Sequence, residues 1–291
     1  MPFTRAQLVA AAEDRGYKVT DRLVTEWARL GILDHPDRVS RTDGRRGAMY
    51  LWPDTQYRLF LTVLDKWATV GHPKSLVQVP VSIWLYWGDE WVPLRQVRRA
   101  AETSVGMFGP PRSYERALAN AREVVNQLKR PGAPRAAVAA LREALAGGLH
   151  RGDVDPRALR PLTAAVLKVD PATSGWGPFG TDVDQVVTGL CATVTAIRNL
   201  GSFTDTDYFE ARAGLRLAIL DYARSWHEHA RHPTYGHMFE PITLELLVNR
   251  ACRDLLFSLG QARLARDSGL VPVPIDDSQW TRPPFELIAI G

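Results

Sequence analysis

Apolar and polar residues in the first third of the chain recur at helical spacing, interrupted by turn signals. Thr4 and Gln7 form a capping-box pattern, in which each side chain satisfies a backbone amide near the other, and they predict a helix over about residues 4–14. Thr20 can cap a second helix, which Gly31 ends. The apolar face of this second helix comprises Leu23, Val24, Trp27 and Leu30. Two short helices joined by a tight turn predict a helix-turn-helix.

An arginine-rich stretch follows and carries a hairpin signal. Asp43 and Gly44 predict a tight turn between two short flanks. The arginines of this candidate wing are Arg38, Arg41, Arg45 and Arg46. Asp54 can cap a third helix, whose apolar stripe would close a small core against the first two helices. That stripe comprises Tyr57, Phe60, Leu64 and Trp67. We therefore expect this N-terminal part, the head, to end near Gly71.

The rest of the pattern is mainly helical. The apolar run over residues 77–87 fits a strand and a buried helix equally well. Helical spacing recurs over about residues 93–104, 113–129, 138–145, 181–200, 204–229 and 241–266. The last three segments are typical of a bundle, whereas four prolines after residue 271 favour an extended strap. We predict a mostly α fold, with an N-terminal winged helix-turn-helix that carries a small β-hairpin wing, followed by a helical bundle.

Breaks rich in glycine and proline indicate how the chain divides. Residues 147–152 and 170–180 are the best candidate boundaries, and the second is the stronger. The helices over residues 113–145 predict either an antiparallel pair or the seam of a homodimer. The domains we predict are a winged-helix head over 1–71, a helical connecting or dimerisation region over 72–170, and a C-terminal helical bundle with an extended tail over 171–291.

Charge is distributed unevenly along the chain. Residues 1–150 carry 22 Lys and Arg against 15 Asp and Glu, a balance of +7, whereas residues 151–291 carry 14 against 17, a balance of −3. This asymmetry suggests that an anionic partner meets the N-terminal half. No stretch has the length and apolarity of a membrane span or a secretory signal, so we expect a cytoplasmic protein without a membrane partner. Cys191 and Cys252 lie in apolar helical patterns without ligand spacing, which favours reduced, buried thiols.

The segment from Phe3 to Trp67 resembles the DNA-binding domain of the MerR family, whose order is helix, turn, recognition helix, wing, helix. The matching residues are Phe3-Thr4, Val19-Thr20, Arg22, Leu30-Gly31-Ile32-Leu33, the arginine-rich hairpin and Tyr50. The resemblance covers roughly a quarter of the chain. It implies a winged helix that binds double-stranded DNA, in which Arg22 grips the backbone or base edges. The effector cysteines of the family are absent, so metal sensing is not implied.

The second helix and the wing also fit a duplex on physical grounds. Docking the apolar face of the helix leaves its polar side chains facing outwards, an arrangement that suits the major groove. Thr25 and Glu26 can read bases there, while the wing arginines can neutralise phosphates or enter the minor groove. The DNA-binding residues we predict are Thr20, Arg22, Thr25, Glu26, Arg29, Arg38, Arg41, Arg45, Arg46 and Tyr50. The predicted recognition helix and wing together predict a transcriptional regulator that binds DNA. We expect it to be a homodimer if the helices over residues 113–145 form a dimer seam.

Two other functions stay open at this point. One is a DNA-binding accessory protein of a mobile element or a DNA-organising complex. The other is a winged helix that binds proteins, which is favoured by acids on or near the proposed surface. Those acids are Asp21, Glu26, Asp34, Asp37 and Asp43. The C-terminal bundle can also bind a protein partner. Alternatively, it can hold a small ligand in a pocket lined by Trp176, Phe179, Tyr208 and Trp226.

The sequence gives little support for catalysis or metal binding. It lacks a phosphate-binding glycine loop, a nucleophile elbow and a suitably spaced acid pair, so we expect neither an enzyme nor a cofactor. The first three of four clustered histidines, His227, His229, His232 and His237, have a spacing seen in metallo-hydrolases. On a helix, however, the first two would point about 200° apart, so we expect no metal site. Trp84, Tyr86, Trp87 and Trp91 can stack on bases or line a hydrophobic ligand pocket, but at this spacing we expect them to lie in the core.

Overall fold

The computed structural model describes residues 2–40, 48–70, 73–108, 113–168, 183–231 and 241–269, together with residues 278 and 280. These residues are mostly helical, and they include a two-stranded antiparallel hairpin. The mostly α expectation is therefore confirmed. No helix within the described ranges is long and apolar enough to cross a membrane.

Helices make up most of the described residues up to residue 267. The α-helices of the described ranges are α1 (Arg5–Asp14), α2 (Asp21–Leu30), α3 (Asp54–Val70), α4 (Gln78–Tyr86), α5 (Leu94–Phe108), α6 (Tyr114–Leu128), α7 (Arg135–Arg151), α8 (Pro156–Leu167), α9 (Val183–Asn199), α10 (Asp205–His229) and α11 (Leu244–Asp267). The strands are β1 (Asp37–Ser40) and β2 (Ala48–Leu51), and short 3₁₀ helices span Pro73–Val77 and Leu200–Ser202.

The chain forms two compact units. Unit 1 contains Met1–Met107 and Thr243–Cys252, whereas unit 2 contains Phe108–Ile242 and Arg253–Trp280. Residues 73–107, which the sequence assigned to a connecting region, therefore lie in the same unit as the head. The candidate boundary at residues 147–152 is the end of α7, and unit 2 continues across it. The other candidate boundary, at residues 170–180, lies outside the described residues, as does the strap apart from Ser278 and Trp280.

Local signals define the first two helices of unit 1. The Thr4 hydroxyl accepts a hydrogen bond from the Gln7 amide at 3.3 Å, and the Gln7 side chain accepts one from the Thr4 amide at 2.8 Å. This reciprocal pair is the capping box that the sequence predicts. Gly31 follows α2 with φ +79°, a left-handed conformation that glycine adopts without the steric cost of a Cβ.

Aromatic side chains close the core of the head. Trp27 on α2 is fully buried and contacts Phe60 and Trp67 of α3, with ring centroids 5.7 and 5.4 Å apart. At the chain's start, the Phe3 ring stacks on that of Tyr57 at 4.0 Å. The predicted apolar stripe of α3 thus packs against α2. Asp54 is the first residue of α3 rather than its cap, and its carboxylate accepts a hydrogen bond from Arg58 one turn later.

The ambiguous run over residues 77–87 contains α4. Every residue from Val79 to Tyr86 is buried, which explains why the run shows neither a helical nor a strand period. The predicted core residues Trp84, Tyr86 and Trp87 are at most 5% exposed, so their core assignment is confirmed, whereas Trp91 is only half-buried.

Unit 2 is built from helices that pack in sequence order. Helix α6 packs on α7, α7 on α8, and α8 on α9, around a core of small and branched residues such as Ala121, Leu141 and Val166. Helix α8 was not predicted, although the Asp155 carboxylate accepts a hydrogen bond from the Arg157 amide and Pro156 occupies the first turn. That Asp-Pro pair is the local signal that could have predicted the helix.

Candidate nucleic-acid interface

One face of α2 is exposed and carries polar side chains. Arg22, Thr25 and Arg29 are exposed, and their spacing of three and four residues places them along a single stripe. The opposite side of the helix is anchored by buried Val24 and Trp27. Because the apolar side is held by the core, the polar stripe has a fixed direction.

Both predicted threonine contacts also hydrogen-bond the backbone of their own helix. The Thr20 hydroxyl accepts a hydrogen bond from the Leu23 amide at 3.2 Å and so caps α2. The Thr25 hydroxyl donates its proton to the Asp21 carbonyl at 2.9 Å. The lone pairs of Thr25 stay available as acceptors, whereas the Thr20 oxygen already serves the helix start.

Glu26 and Arg29 form a two-point ion pair on this surface. The Arg29 Nε and Nη2 atoms donate to the two carboxylate oxygens of Glu26 at 2.8 and 2.6 Å. The hydrogen bond to Glu26, followed by the charge of that carboxylate, raises the pKa of Arg29 above its ordinary value. The pair offsets one positive charge on α2. No described residue forms an ion pair with Arg22, so its charge is not offset in the same way.

The hairpin places two further predicted residues side by side. Arg38 on β1 lies directly opposite Tyr50 on β2, and facing residues of an antiparallel pair project from the same side of the sheet. Both are exposed, with Tyr50 at 52%. The predicted turn at Asp43-Gly44 and the remaining predicted wing arginines lie outside the described residues. Those arginines are Arg41, Arg45 and Arg46.

The expectation that Asp34 lies on or near this surface is wrong. Asp34 is only 3% exposed, and its two carboxylate oxygens accept hydrogen bonds from Arg95 and Arg99 at 2.8 and 2.6 Å. A buried carboxylate needs such partners because it has lost its water. Asp34 therefore belongs to the support of the head and does not count towards an acidic docking surface.

A buried amide network continues from Asp34. Gln56 on α3 accepts a hydrogen bond from the Asp34 amide at 2.7 Å and donates one to Gln96 on α5 at 2.9 Å. Gln96 in turn donates to the Ile32 carbonyl at 3.0 Å, and the Trp52 indole donates to the Asp34 carbonyl at 2.9 Å. The network fixes the short connection between α2 and β1. Nothing local in the sequence pointed to Gln56, Gln96, Arg95 or Arg99.

The predicted ligand pocket in the bundle is not formed as expected. Tyr208 and Trp226 both lie on α10, eighteen positions apart, which places their backbones about 27 Å from each other. Residues at that separation on one helix cannot line a single small pocket. The other two predicted lining residues, Trp176 and Phe179, lie outside the described residues.

The histidine cluster is described only in part. His227 is exposed near the end of α10, whereas the His229 side chain and residues 232 and 237 lie outside the described part of the chain. Among the residues that are described, no three His, Cys, Asp or Glu side chains are grouped so that they could hold a metal ion. Cys191 and Cys252 are both free thiols, and burial raises the pKa of Cys191 above its ordinary value.

The structure thus brings the predicted site residues together in two groups. The first group, on α2 and its cap, comprises Thr20, Arg22, Thr25, Glu26 and Arg29, and the second pairs Arg38 with Tyr50 on the hairpin. No protein-family model, curated protein or solved structure matches this chain.

Proposed function

We propose that this protein binds double-stranded DNA, with α2 as a recognition helix in the major groove. The observation that carries the proposal is the exposed stripe of Arg22, Thr25 and Arg29 on a helix whose other face is locked by Trp27. A helix fits the major groove of B-DNA, and a stripe of arginine and hydroxyl groups has the chemistry to contact phosphates and base edges there.

The hairpin is the second contact in this proposal. Arg38 supplies a positive charge and Tyr50 a hydroxyl donor on one face of the sheet, both accessible to solvent. These groups suit phosphate oxygens, which position a protein on the duplex without reading its sequence. Arg41, Arg45 and Arg46 add three cations within the same hairpin segment. The hairpin accordingly contributes affinity more than sequence choice.

Buried hydrogen bonds beneath the α2 surface hold it in the geometry that DNA binding needs. The network around Asp34 and Gln56 connects the end of α2 to α3 and α5 through buried hydrogen bonds. A recognition element held in one geometry loses little conformational entropy when it docks. The head on this view is a MerR-like winged helix extended by α4 and α5, and the protein acts as a transcriptional regulator.

Selection of preferred duplexes from a random pool by the full chain tests this function. A regulator should enrich one motif, and a homodimer should enrich two half-sites with centres about 10 base pairs, or a multiple of this spacing, apart. The Arg22→Ala variant should lose the enrichment at defined positions of the motif. A pool that stays indistinguishable from the input would contradict a sequence-specific regulator and would favour the accessory DNA-binding protein if duplex is still bound.

A further inference from the structure

A concave surface in unit 2 is lined by positive charge. The connection between α6 and α7, together with the first two turns of α7, lines an open cleft of about 590 Å³. Four of its described lining residues are cations, namely Lys129, Arg130, Arg135 and Arg142, and no acid is found among those described. The rest of the lining is proline, glycine, alanine and valine, so the cleft offers cationic groups on an apolar floor.

These cations lack partners within the described part of the chain. None of the four side chains forms an ion pair or a hydrogen bond with a described residue. Arg142 is partly buried, and its Nε atom is shielded from solvent without a hydrogen-bond partner. Because no described acid offsets the four positive charges, an anion from outside the protein would be stabilising here.

The start of α7, whose first residue Arg135 lines the cleft, leaves backbone donors without a side-chain cap. Pro134 precedes the helix and supplies no side-chain cap, and the first turn contains no acid. The amides of residues 135–137 therefore have neither a helical acceptor nor a side-chain acceptor from the cap. This is the reverse of the arrangement at α10, where Thr204 and Asp207 cap the first turn.

A fifth cation reaches the rim of the cleft. The Nζ atom of Lys168 lies 3.3 Å from the position that a Cβ on Gly132 would occupy, so the glycine leaves room for the ammonium group. Lys168 holds a left-handed backbone conformation with φ +56°, which is uncommon for a residue with a side chain. The conformation ends α8 and lets the lysine lie beside the connection between α6 and α7.

We propose that this cleft binds a phosphate-bearing anion. Guanidinium groups form two-point hydrogen bonds with phosphate oxygens, and a helix N-terminus adds backbone donors with a favourable dipole. The volume accommodates more than one phosphate group, and the apolar floor suits the organic part of a phosphorylated ligand. The phosphates come either from a small phosphorylated molecule or from a nucleic-acid backbone. This proposal does not rest on DNA binding by the head.

Calorimetric titration of the full chain with pyrophosphate at low salt tests the cleft. Arg135→Gln combined with Arg142→Gln should weaken binding at least about tenfold, because each lost charge-assisted hydrogen bond is worth more than a neutral one. Arg157→Gln is the matched control, since this exposed arginine lies on α8 about 15 Å from the end of α8 that contacts the cleft. It should leave the affinity within about twofold.

A third variant separates binding from folding. Ala136 is exposed in the first turn of α7, and Ala136→Glu supplies the acid that this turn lacks. The new carboxylate should raise the thermal midpoint through the helix dipole while it weakens pyrophosphate binding by competing for the donors. If wild type fails to bind pyrophosphate at low salt, or if the cleft variants bind as well as Arg157→Gln, the proposal is overturned.

Competition identifies the source of the phosphate. Displacement of pyrophosphate by a nucleoside triphosphate, but not by a mixed-sequence oligonucleotide, indicates a small phosphorylated ligand. Displacement by the oligonucleotide that persists in the Arg22→Ala variant indicates a nucleic-acid backbone. Failure of the head to bind duplex would leave the pyrophosphate result unaffected, so the two proposals fail independently.

Discussion

The Asp34 carboxylate accepts a hydrogen bond from Arg99 at 2.6 Å, although 65 positions separate the two residues in the chain. Arg95 binds the other carboxylate oxygen at 2.8 Å, and hydrogen bonding to Asp34 raises the pKa of Arg95 above its ordinary value. Asp34 lies just after α2, whereas both arginines lie on α5. The segment between α2 and the hairpin is therefore held by α5, a helix well outside the first seventy residues.

Asp34→Asn should destabilise unit 1 by about 2 kcal/mol, because it leaves two arginines beside a neutral group in a largely buried site. Solvent reaches Arg95, which limits the cost. Denaturant unfolding of the full chain followed by tryptophan fluorescence measures the change. Asp65→Asn, which breaks the exposed pair with Arg15, is the control and should cost less than about 0.5 kcal/mol. Equal losses in the two variants would show that the Asp34 pair is no more than a surface contact.

Gly31→Ala should be more damaging than Gly16→Ala, although both glycines have φ close to +80°. A Cβ on Gly31 would lie 2.4 Å from the Ala100 amide nitrogen, whereas one on Gly16 would meet nothing within 4 Å. We expect Gly16→Ala to lower the free energy of unfolding by about 1 kcal/mol through backbone strain alone. Gly31→Ala should lower it by about 3 kcal/mol, because it adds a backbone clash. Comparable unfolding free energies for the two variants would contradict the close approach of α5 to α2.

Glu26→Gln should raise the affinity for duplex DNA several-fold. The change removes a negative charge from the proposed interface and releases Arg29 from its two-point pair. Glu13→Gln, at an exposed position of α1, changes the net charge equally and serves as the control. Fluorescence anisotropy with a labelled duplex measures both. An equal rise in the two variants would assign the effect to net charge rather than to the α2 surface, and a fall with Glu26→Gln would indicate base reading by that carboxylate.

Asp207 should make unit 2 sensitive to acid. Burial favours the neutral acid, but hydrogen bonds from Thr204 and Arg266 outweigh it and hold the pKa of Asp207 below its ordinary value of 3.8. Ionised Asp207 therefore stabilises the fold above a pH of about 4, and this contribution is lost as the pH falls through the lowered pKa. Asp207→Asn should lower the thermal midpoint near neutral pH but have a shrinking effect towards a pH of about 3. A penalty independent of pH would contradict the assignment.

Local chemistry made much of the head predictable. The caps of the first two helices act on backbone groups within a few residues, so short sequence spacings predict them. They are the capping box of Thr4 and Gln7, the N-cap Thr20 and the C-terminal Gly31. The exposed stripe of α2 was also predictable, because the helical spacing of apolar residues in an amphipathic helix indicates both the buried and the exposed face. The fixed direction of this stripe was not predictable, since it depends on pairings such as Gln56 with Gln96 that join distant elements.

The errors have equally specific causes. Asp34 reads as a surface acid because its neighbours are polar, and its partners are more than sixty positions away. The apolar run containing α4 is buried on all sides, which removes the periodicity that distinguishes a helix from a strand. Gly147 and Gly148 resemble a break, but both are buried in α7, where a Cβ on Gly148 would lie 2.4 Å from Val154. Small residues there permit close packing rather than ending a domain.

Duplex binding by the full chain across a series of salt concentrations tests the central claim most directly. With roughly six phosphate contacts, the logarithm of the binding constant should fall linearly with that of the salt concentration, with a slope of about −5. Arg38→Ala should reduce the steepness by about one, and Arg22→Ala should weaken binding most on the selected motif. Absence of binding at low salt, or wild-type affinity and slope in both variants, would contradict DNA binding through the α2 surface and the hairpin.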